Sequence, residues 1–218
     1  MTIHWPGHAC FQIIAAGNKG EQASVLIDPF SEEIGLKLPK LEPDILLVSH
    51  NHYDHNNIKQ VSGSPFLITG PGEYEVKKVF IQGIPSWHDE KEGKERGENT
   101  IYTIGTEEMR LCHLGDLGQK ELTEEQLEKI GEIDILMIPV GGIYTISAKE
   151  APKIISQIEP KIVIPMHYQI PKLELKKKLD GLDKFLKTMG IKKIEPLPKL
   201  SIKKKDLSEE TKITVLTP

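Results

Sequence analysis

The sequence predicts a mixed α/β fold of the α+β class, and three observations support this. Short apolar runs separated by glycine, proline and charged residues fill the chain up to about residue 112. Helix-start patterns then appear in the second half, where Thr123 is followed by Gln126 and Ser147 by Glu150. Apolar runs alternate with these helices. Strands therefore dominate the first half, and helices alternate with strands in the second.

The strands of the first half follow from apolar runs bounded by turn residues. We predict strands at Cys10–Ala15 and Ser24–Asp28, joined by a turn at Gly17–Gly20. Further strands are predicted at Ile45–Ser49, Phe66–Thr69, Val79–Ile84, Thr100–Ile104 and Met109–Cys112. The charged loop Asp89–Glu98 lies between two of these strands. It is either a lid near a functional site or an idle exposed loop.

The second half alternates helices with buried strands. The predicted helices are Thr123–Ile130, Ser147–Ile158 and Leu173–Met189. Gly131 is placed to end the first of them. The predicted strands are Ile135–Val140, Ile162–Met166, Ile194–Leu197, Leu200–Ile202 and Ile213–Leu216. We expect one domain over residues 1–218, with two similar halves that meet near residues 117–125.

Composition limits the class of function. The 218 residues are 38% hydrophobic and carry a net charge of -4, which suits a soluble protein and argues against nucleic acid or anionic membrane partners. We therefore expect a small-molecule substrate, a cytoplasmic location and no membrane span, with a homo-oligomer as a further expectation. Cys10 and Cys112 lie in apolar runs and are predicted to be buried thiols, the alternative being one disulfide between them.

A dense group of metal-ligand residues follows the apolar run that ends at Ser49. The group is His50-Asn51-His52-Tyr53-Asp54-His55. Imidazole nitrogens and carboxylate oxygens are the donors that Zn²⁺ and related ions accept. Residues two apart on an extended segment point the same way, so His50 and His52 can converge on one ion. A turn after them would direct Asp54 and His55 to a neighbouring ion.

Other polar residues stand just beyond apolar runs and are candidates for the same site. They are His88, His113, Asp116 and His167. Ends of several strands can meet at one edge of a sheet, where sites on rigid scaffolds form. Asp28 ends its strand at the same relative place as the histidine group. It is expected to orient that group through hydrogen bonds, or else to form a turn before Pro29.

The chain resembles the metallo-β-lactamase superfamily. His50-Asn51-His52-Tyr53-Asp54-His55 matches the HxHxDH signature of that superfamily. Four further segments are similar to its branch of small hydrolase-like proteins that includes the ascorbate-phosphate lactonases: Gly7-His8-Ala9-Cys10-Phe11, Leu26-Ile27-Asp28-Pro29, His113-Leu114-Gly115-Asp116 and Pro165-Met166-His167-Tyr168. The similarity extends from about Ile3 to Tyr168. It implies an αββα sandwich, in which two mixed sheets pack face to face between helices, with the site at one edge.

The resemblance also implies a ligand set for two divalent ions. His50, His52 and His88 would bind the first ion. The second ion would be bound by Asp54, His55 and His167, and Asp116 would bridge the two. His113 competes with His88 for the first ion, and otherwise lies behind the ligands or on the substrate side. Zn²⁺ suits the histidine-rich set, with Mn²⁺ as the alternative.

These ligands suggest hydrolysis of a small lactone, ester or phosphodiester. Two ions that share a water would lower its pKa toward 7, and the resulting metal-bound hydroxide would attack the substrate. Asp54 and His113 are the predicted catalytic residues. His8, Tyr144 and Tyr168 are the predicted substrate contacts. Tyr144 follows a buried strand, and Tyr168 stands beside His167. The alternative is a catalytically weak sensor that binds a metal or ligand on the same fold.

Overall fold

A computed structural model describes residues 1–16 and 21–218. The predicted turn Gly17–Gly20 lies outside the described residues. The first sheet contains strands β1 to β5 and β12, and the second contains β6 to β11 and β13. The strands of the first sheet are β1 (Thr2–Gly7), β2 (Cys10–Ala16), β3 (Gln22–Ile27), β4 (Ile45–Leu47), β5 (Phe66–Ile68) and β12 (Leu200–Ser201). Those of the second are β6 (Gly72–Val76), β7 (Val79–Trp87), β8 (Glu98–Thr106), β9 (Met109–His113), β10 (Ile135–Pro139), β11 (Ile162–Met166) and β13 (Lys212–Ile213).

Both sheets are mixed, as the resemblance implies. The first has the order β12-β1-β2-β3-β4-β5, in which β3, β4 and β5 are parallel and the other pairs are antiparallel. The second has the order β13-β11-β10-β9-β8-β7-β6, with parallel pairs from β9 to β13. The central strands β4, β10 and β11 are buried along their whole length. This explains why they read as continuous apolar runs, because strands covered on both faces need no polar side.

Three α-helices occur in the described part of the chain: α1 (Glu124–Ile130), α2 (Ala151–Ile158) and α3 (Leu182–Thr188). The capping box predicted for α1 is confirmed. Thr123 Oγ1 accepts the Gln126 N–H at 3.2 Å, and Gln126 Oε1 accepts the Thr123 N–H at 3.0 Å. Gly131 ends this helix, as expected. Short 3₁₀ turns also occur at Glu32–Ile34, Ile58–Gln60 and Lys204–Asp206.

Helix α2 begins later than predicted. Glu150 Oε2 does accept the Ser147 N–H at 2.7 Å, so the expected contact forms. However, residues 147–150 make a separate turn, and the helix starts only at Ala151, directly before Pro152. Proline has no N–H to bond a carbonyl one turn earlier, so it is tolerated only in the first turn of a helix.

The helix predicted at Leu173–Met189 is wrong in its first half. Only Leu182–Thr188 is helical. Before Gly181 the backbone bonds to distant segments, and the Asp180 N–H donates to Gly141 O at 2.9 Å. These tertiary hydrogen bonds replace the ones that a helix would have made. The strand expected at Ile194–Leu197 is likewise reduced to one isolated bridge at its last residue.

The cysteine and strand predictions have clear outcomes. Cys10 and Cys112 are both buried and both free, so the disulfide alternative is wrong. Two strands were missed, β1 and β6.

Among the described residues, no helix combines the length and the apolar character that crossing a bilayer requires. The meeting of two similar halves near residues 117–125 stays a prediction.

One buried hydroxyl joins the two sheets directly below the histidine group. Tyr102 of β8 is fully buried, and its hydroxyl donates to Val48 O at 2.9 Å. Val48 directly follows β4 of the first sheet and stands two residues before His50. Because this bond joins the two sheets, it fixes the position of the chain between β4 and the histidine group.

We expect Tyr102→Phe to lower the free energy of unfolding by roughly 1–3 kcal/mol, because the buried carbonyl of Val48 loses its donor. Denaturant unfolding should show a lower midpoint with an unchanged slope. Tyr74→Phe is the matched control, since Tyr74 is half-buried on the edge strand β6. Equal losses in the two variants would contradict the role of this bond.

Candidate metal centre

The polar residues singled out in the sequence leave their strands at one edge of the sandwich. Within the first sheet β1, β3 and β4 run the same way, and within the second β7, β9 and β11 do. Their carboxyl ends therefore lie on one side of each sheet, and the contact between His55 and Asp116 shows that these two sides adjoin. The residues that follow these ends are His8, Asp28, His50, His88, Asp116 and His167.

Three histidines form the first group. The candidate ligand atoms of His50, His52 and His88 all lie within 4.8 Å of one another. Their ring centroids are 4.6–5.0 Å apart. His50 and His88 are buried, whereas His52 is half-buried. The structure thus brings His88, and not His113, against His50 and His52.

The second group contains the expected residues and one more. Ligand atoms of Asp54, His55, His167 and His8 lie within 4.8 Å of one another. His8 Nε2 is 3.2 Å from Asp54 Oδ2, and the His8 ring centroid is 4.2 Å from that of His167. His8 was predicted to contact substrate. It is fully buried beside the carboxylate of Asp54, and its contact with substrate stays a prediction.

Asp116 lies between the two groups. Its Oδ2 atom is 3.2 Å from His88 Nε2, 3.3 Å from both His55 Nε2 and His167 Nε2, and 3.9 Å from His50 Nε2. Burial alone would raise the pKa of this carboxyl, but the adjacent imidazoles of His167 and His55 hold the pKa well below its usual range. Asp116 is therefore an anion that lies between the two groups of imidazoles.

Several buried atoms of this cluster have no hydrogen-bond partner. They are the Nε2 atoms of His50, His55 and His167, the Nδ1 atoms of His8, His88 and His167, and Oδ1 of Asp116. Buried polar atoms without partners are rare, because each costs free energy comparable to a lost hydrogen bond. Lone pairs of imidazole and carboxylate that converge in a buried space match the donor set of Zn²⁺. The residues present therefore fit a site for divalent metal.

Asp28 orients the histidine group, as one of the two readings predicted. Its Oδ1 accepts the Ser49 N–H at 2.7 Å, and its Oδ2 accepts the Ser49 hydroxyl at 2.6 Å. The only proton of that hydroxyl is then used, so the 2.9 Å contact with His50 Nδ1 requires His50 to donate. His55 Nδ1 likewise lies 3.1 Å from Asp28 Oδ2. Each ring therefore carries a proton on Nδ1, and in its neutral form it offers the Nε2 lone pair to a metal ion.

Burial lowers the pKa of His8, His50 and His52 and so favours the neutral form that binds metals. Burial, followed by the adjacent His167, lowers the pKa of His8 to about 4. Burial, followed by His55, lowers the pKa of His50 well below its usual range. His55 is the exception. Burial would lower its pKa, but Asp116 and Asp28 raise the pKa well above the usual value.

His113 lies away from the first group of histidines, and its predicted catalytic role stays a prediction. It is fully buried, its Nε2 lies 2.8 Å from Ala9 O, and its Nδ1 accepts the Gly115 N–H at 3.1 Å. Both ring nitrogens are therefore engaged with the backbone.

Sequence reasoning missed Asn99, whose Oδ1 accepts the Asp116 N–H at 2.9 Å. It stands near the start of a strand without any ligand spacing, so no local pattern marks it.

The two tyrosines predicted to contact substrate are in different environments. Tyr168 is 4% exposed, and its ring centroid lies 5.2 Å from that of Trp5, so burial does not favour the predicted role. Tyr144 is half-buried and follows a close approach of two chain segments. A Cβ atom on Gly141 would lie only 2.2 Å from His167 O, so glycine is required there.

Similar proteins support the fold and the kind of site. The family model described as "Beta-lactamase superfamily domain" matches residues 2–167. The chain is 31% identical over 197 residues to a UPF0173 metal-dependent hydrolase of Staphylothermus marinus, covering 76% of this chain and 82% of the relative. It is 31% identical over 195 residues to a protein of the same description from Thermococcus onnurineus, with 77% and 84% covered.

Solved structures agree with the sequence relatives. A Thermotoga maritima protein, proposed to be a zinc-dependent hydrolase of the metallo-β-lactamase superfamily, is 34% identical with a TM-score of 0.77, covering 99% of this chain and 97% of the other. A metallo hydrolase of Ignicoccus hospitalis has a TM-score of 0.61 at 19% identity, with 93% and 99% covered, which shows the fold alone. The match over residues 2–167, the relatives above 30% identity and the two mixed sheets lead to one conclusion: the chain belongs to the β-lactamase superfamily domain family and has the metallo-β-lactamase fold.

Proposed function

We propose that the protein is a metal-dependent hydrolase that acts on a small lactone, ester or phosphodiester. The observation that carries the proposal is the buried carboxylate of Asp116, which lies within 4 Å of imidazoles from both ligand groups. The names of the relatives from Staphylothermus marinus and Thermococcus onnurineus support the same class of reaction. The fold itself does not need two carboxylates and five imidazoles at one edge of its sheets. Metal binding explains why they gather there.

The ligand assignment follows the two groups. His50, His52 and His88 would hold one ion, Asp54, His55 and His167 would hold the other, and Asp116 would contact both. Zn²⁺ suits the majority of imidazole donors, and Mn²⁺ is the alternative because two carboxylates take part. When bound, such ions polarise a carbonyl or phosphoryl oxygen and make water a stronger acid.

The protein's own side chains supply orientation and the exclusion of bulk water. Asp54 Oδ2 is 3.2 Å from His8 Nε2, and this contact orients the carboxylate, which can accept a hydrogen bond from the attacking water. His113 positions the turn that carries Asp116, because it accepts the Gly115 N–H. We therefore keep Asp54 as a catalytic residue and assign His113 a positioning role.

Metal-depleted protein reloaded with Zn²⁺ or Mn²⁺ should bind about two ions per chain and hydrolyse generic lactone, ester or phosphodiester substrates. Asp116→Asn should lower both metal content and the turnover rate, since it removes the anion shared by the two groups. The loss should exceed the roughly 10- to 100-fold effect that is typical of residues behind the ligands. Elemental analysis and steady-state rates measure the two quantities.

Asp44→Asn is the control for this comparison, because Asp44 is also a hydrogen-bonded carboxylate, but it stands before β4 and its partners are the Ser24 N–H and Lys77. It should leave metal content and rate unchanged. Full metal binding without turnover of any of these substrates would reject the hydrolase proposal and favour a metal-binding sensor.

A second prediction concerns Asp28. Asp28→Asn should weaken metal affinity by about 10- to 100-fold. The amide has no negative charge and only one acceptor oxygen, so it orients Ser49 and His55 less firmly than the carboxylate does. Competition with a chromogenic chelator measures the affinity. Asp44→Asn again serves as the matched variant. An unchanged affinity in Asp28→Asn would show that the imidazoles are oriented without this carboxylate.

A further inference from the structure

The charged loop Asp89–Glu98 has a fixed shape that depends on its first residue. Asp89 Oδ1 accepts the N–H groups of Lys91 and Gly93 at 2.7 and 3.1 Å. Its Oδ2 accepts those of Glu95 and Arg96 at 3.0 and 2.8 Å. Four charge-assisted hydrogen bonds to one carboxylate tie the loop to the residue directly after the ligand His88. The shape of the loop therefore depends on a residue that directly follows a candidate metal ligand.

This arrangement places Arg96 over the segment that follows β10. Arg96 Nη2 donates to Ile143 O at 3.2 Å, and its guanidinium carbon lies 4.8 Å from the centre of the Tyr144 ring. Arg96 is half-buried. Within residues 1–16 and 21–218, no carboxylate pairs with it, although its loop neighbours Lys91 and Lys94 both have such partners. A guanidinium has five N–H donors, and the described protein uses one of them.

Tyr144 is connected to the metal site through its own chain segment. Its segment begins at Gly141, which packs directly against the backbone of the ligand His167.

The surroundings of Arg96 and Tyr144 add positive charge. The Lys177 N–H donates to Tyr144 Oη at 2.9 Å, so the hydroxyl proton of Tyr144 remains available to a ligand. Lys176, Lys177 and Lys178 are all exposed next to it. Exposed cations around a cleft raise the local concentration of anionic ligands.

We propose that Arg96 binds an anionic group of the substrate, a carboxylate or phosphate remote from the bond that is cleaved, with Tyr144 beneath it. This rests on the proposed hydrolase function and narrows its substrates to small anionic esters, lactones or phosphodiesters. The planar guanidinium matches the paired oxygens of carboxylate and phosphate. Stacking on Tyr144 and the bond to Ile143 hold it in place before the substrate arrives, which reduces the entropy lost on binding.

The test compares two esters of similar length, 4-nitrophenyl butyrate and the singly charged 4-nitrophenyl hydrogen succinate, with metal-loaded protein. Arg96→Met keeps the aliphatic stem on Tyr144 and removes the charge. It should lower the ratio of kcat/KM for the charged ester to that for the neutral ester by about 10- to 100-fold. Arg96→Lys should retain part of this preference. Lys94→Met, from the same loop, should leave the ratio at its wild-type value.

The outcomes separate this inference from the hydrolase proposal. If both esters are hydrolysed and the ratio is the same in Arg96→Met as in the wild type, the inference is overturned and the hydrolase stands. If neither ester is hydrolysed, calorimetric titration with inorganic phosphate decides. Binding that is weaker by about tenfold or more in Arg96→Met but not in Lys94→Met supports the inference. Equal binding in the two variants, or none in the wild type, overturns it.

Discussion

The structure depends on the burial of one carboxylate among imidazoles. Asp116 is 2% exposed, and ring nitrogens of four histidines lie within 4 Å of it. Removing an ion from water costs several kcal/mol unless opposite charge or hydrogen bonds compensate. The four histidines come from three separate regions of the chain. Their convergence is possible only because the strands of both sheets end at the same edge.

Local backbone conformation completes what strand direction begins. His8, Asp28 and His167 have φ angles of 55°, 47° and 51°, in the left-handed region that costs a non-glycine residue about 1–3 kcal/mol. Each residue directly follows a strand or the glycine that ends one. The left-handed conformation breaks the alternation of the strand and turns the side chain toward the shared edge. Packing of the two sheets sustains this local strain at the point where the chemistry needs it.

The sequence indicated elements well where local and tertiary preferences agree. Strand β11 was predicted with its observed bounds, and the capping box of α1 formed as expected, because apolar runs and caps act within a few residues. The segment before Gly181 failed for the opposite reason. Its residues have helix-forming character, but Asp180 bonds to Gly141, and such distant partners leave no trace in local sequence.

By itself the sequence determined the chemistry of the site, since His50, His52, Asp54 and His55 offer metal donors at fixed spacing. The tertiary structure decided which of the distant residues join them. His88 rather than His113 meets His50 and His52, His8 lies behind Asp54, and Arg96 is held over Tyr144. The physical reason is that ligand type and alternation are local properties of a chain. Which strand ends become neighbours depends on the pairing order of two sheets, and that order is fixed only when the whole core packs.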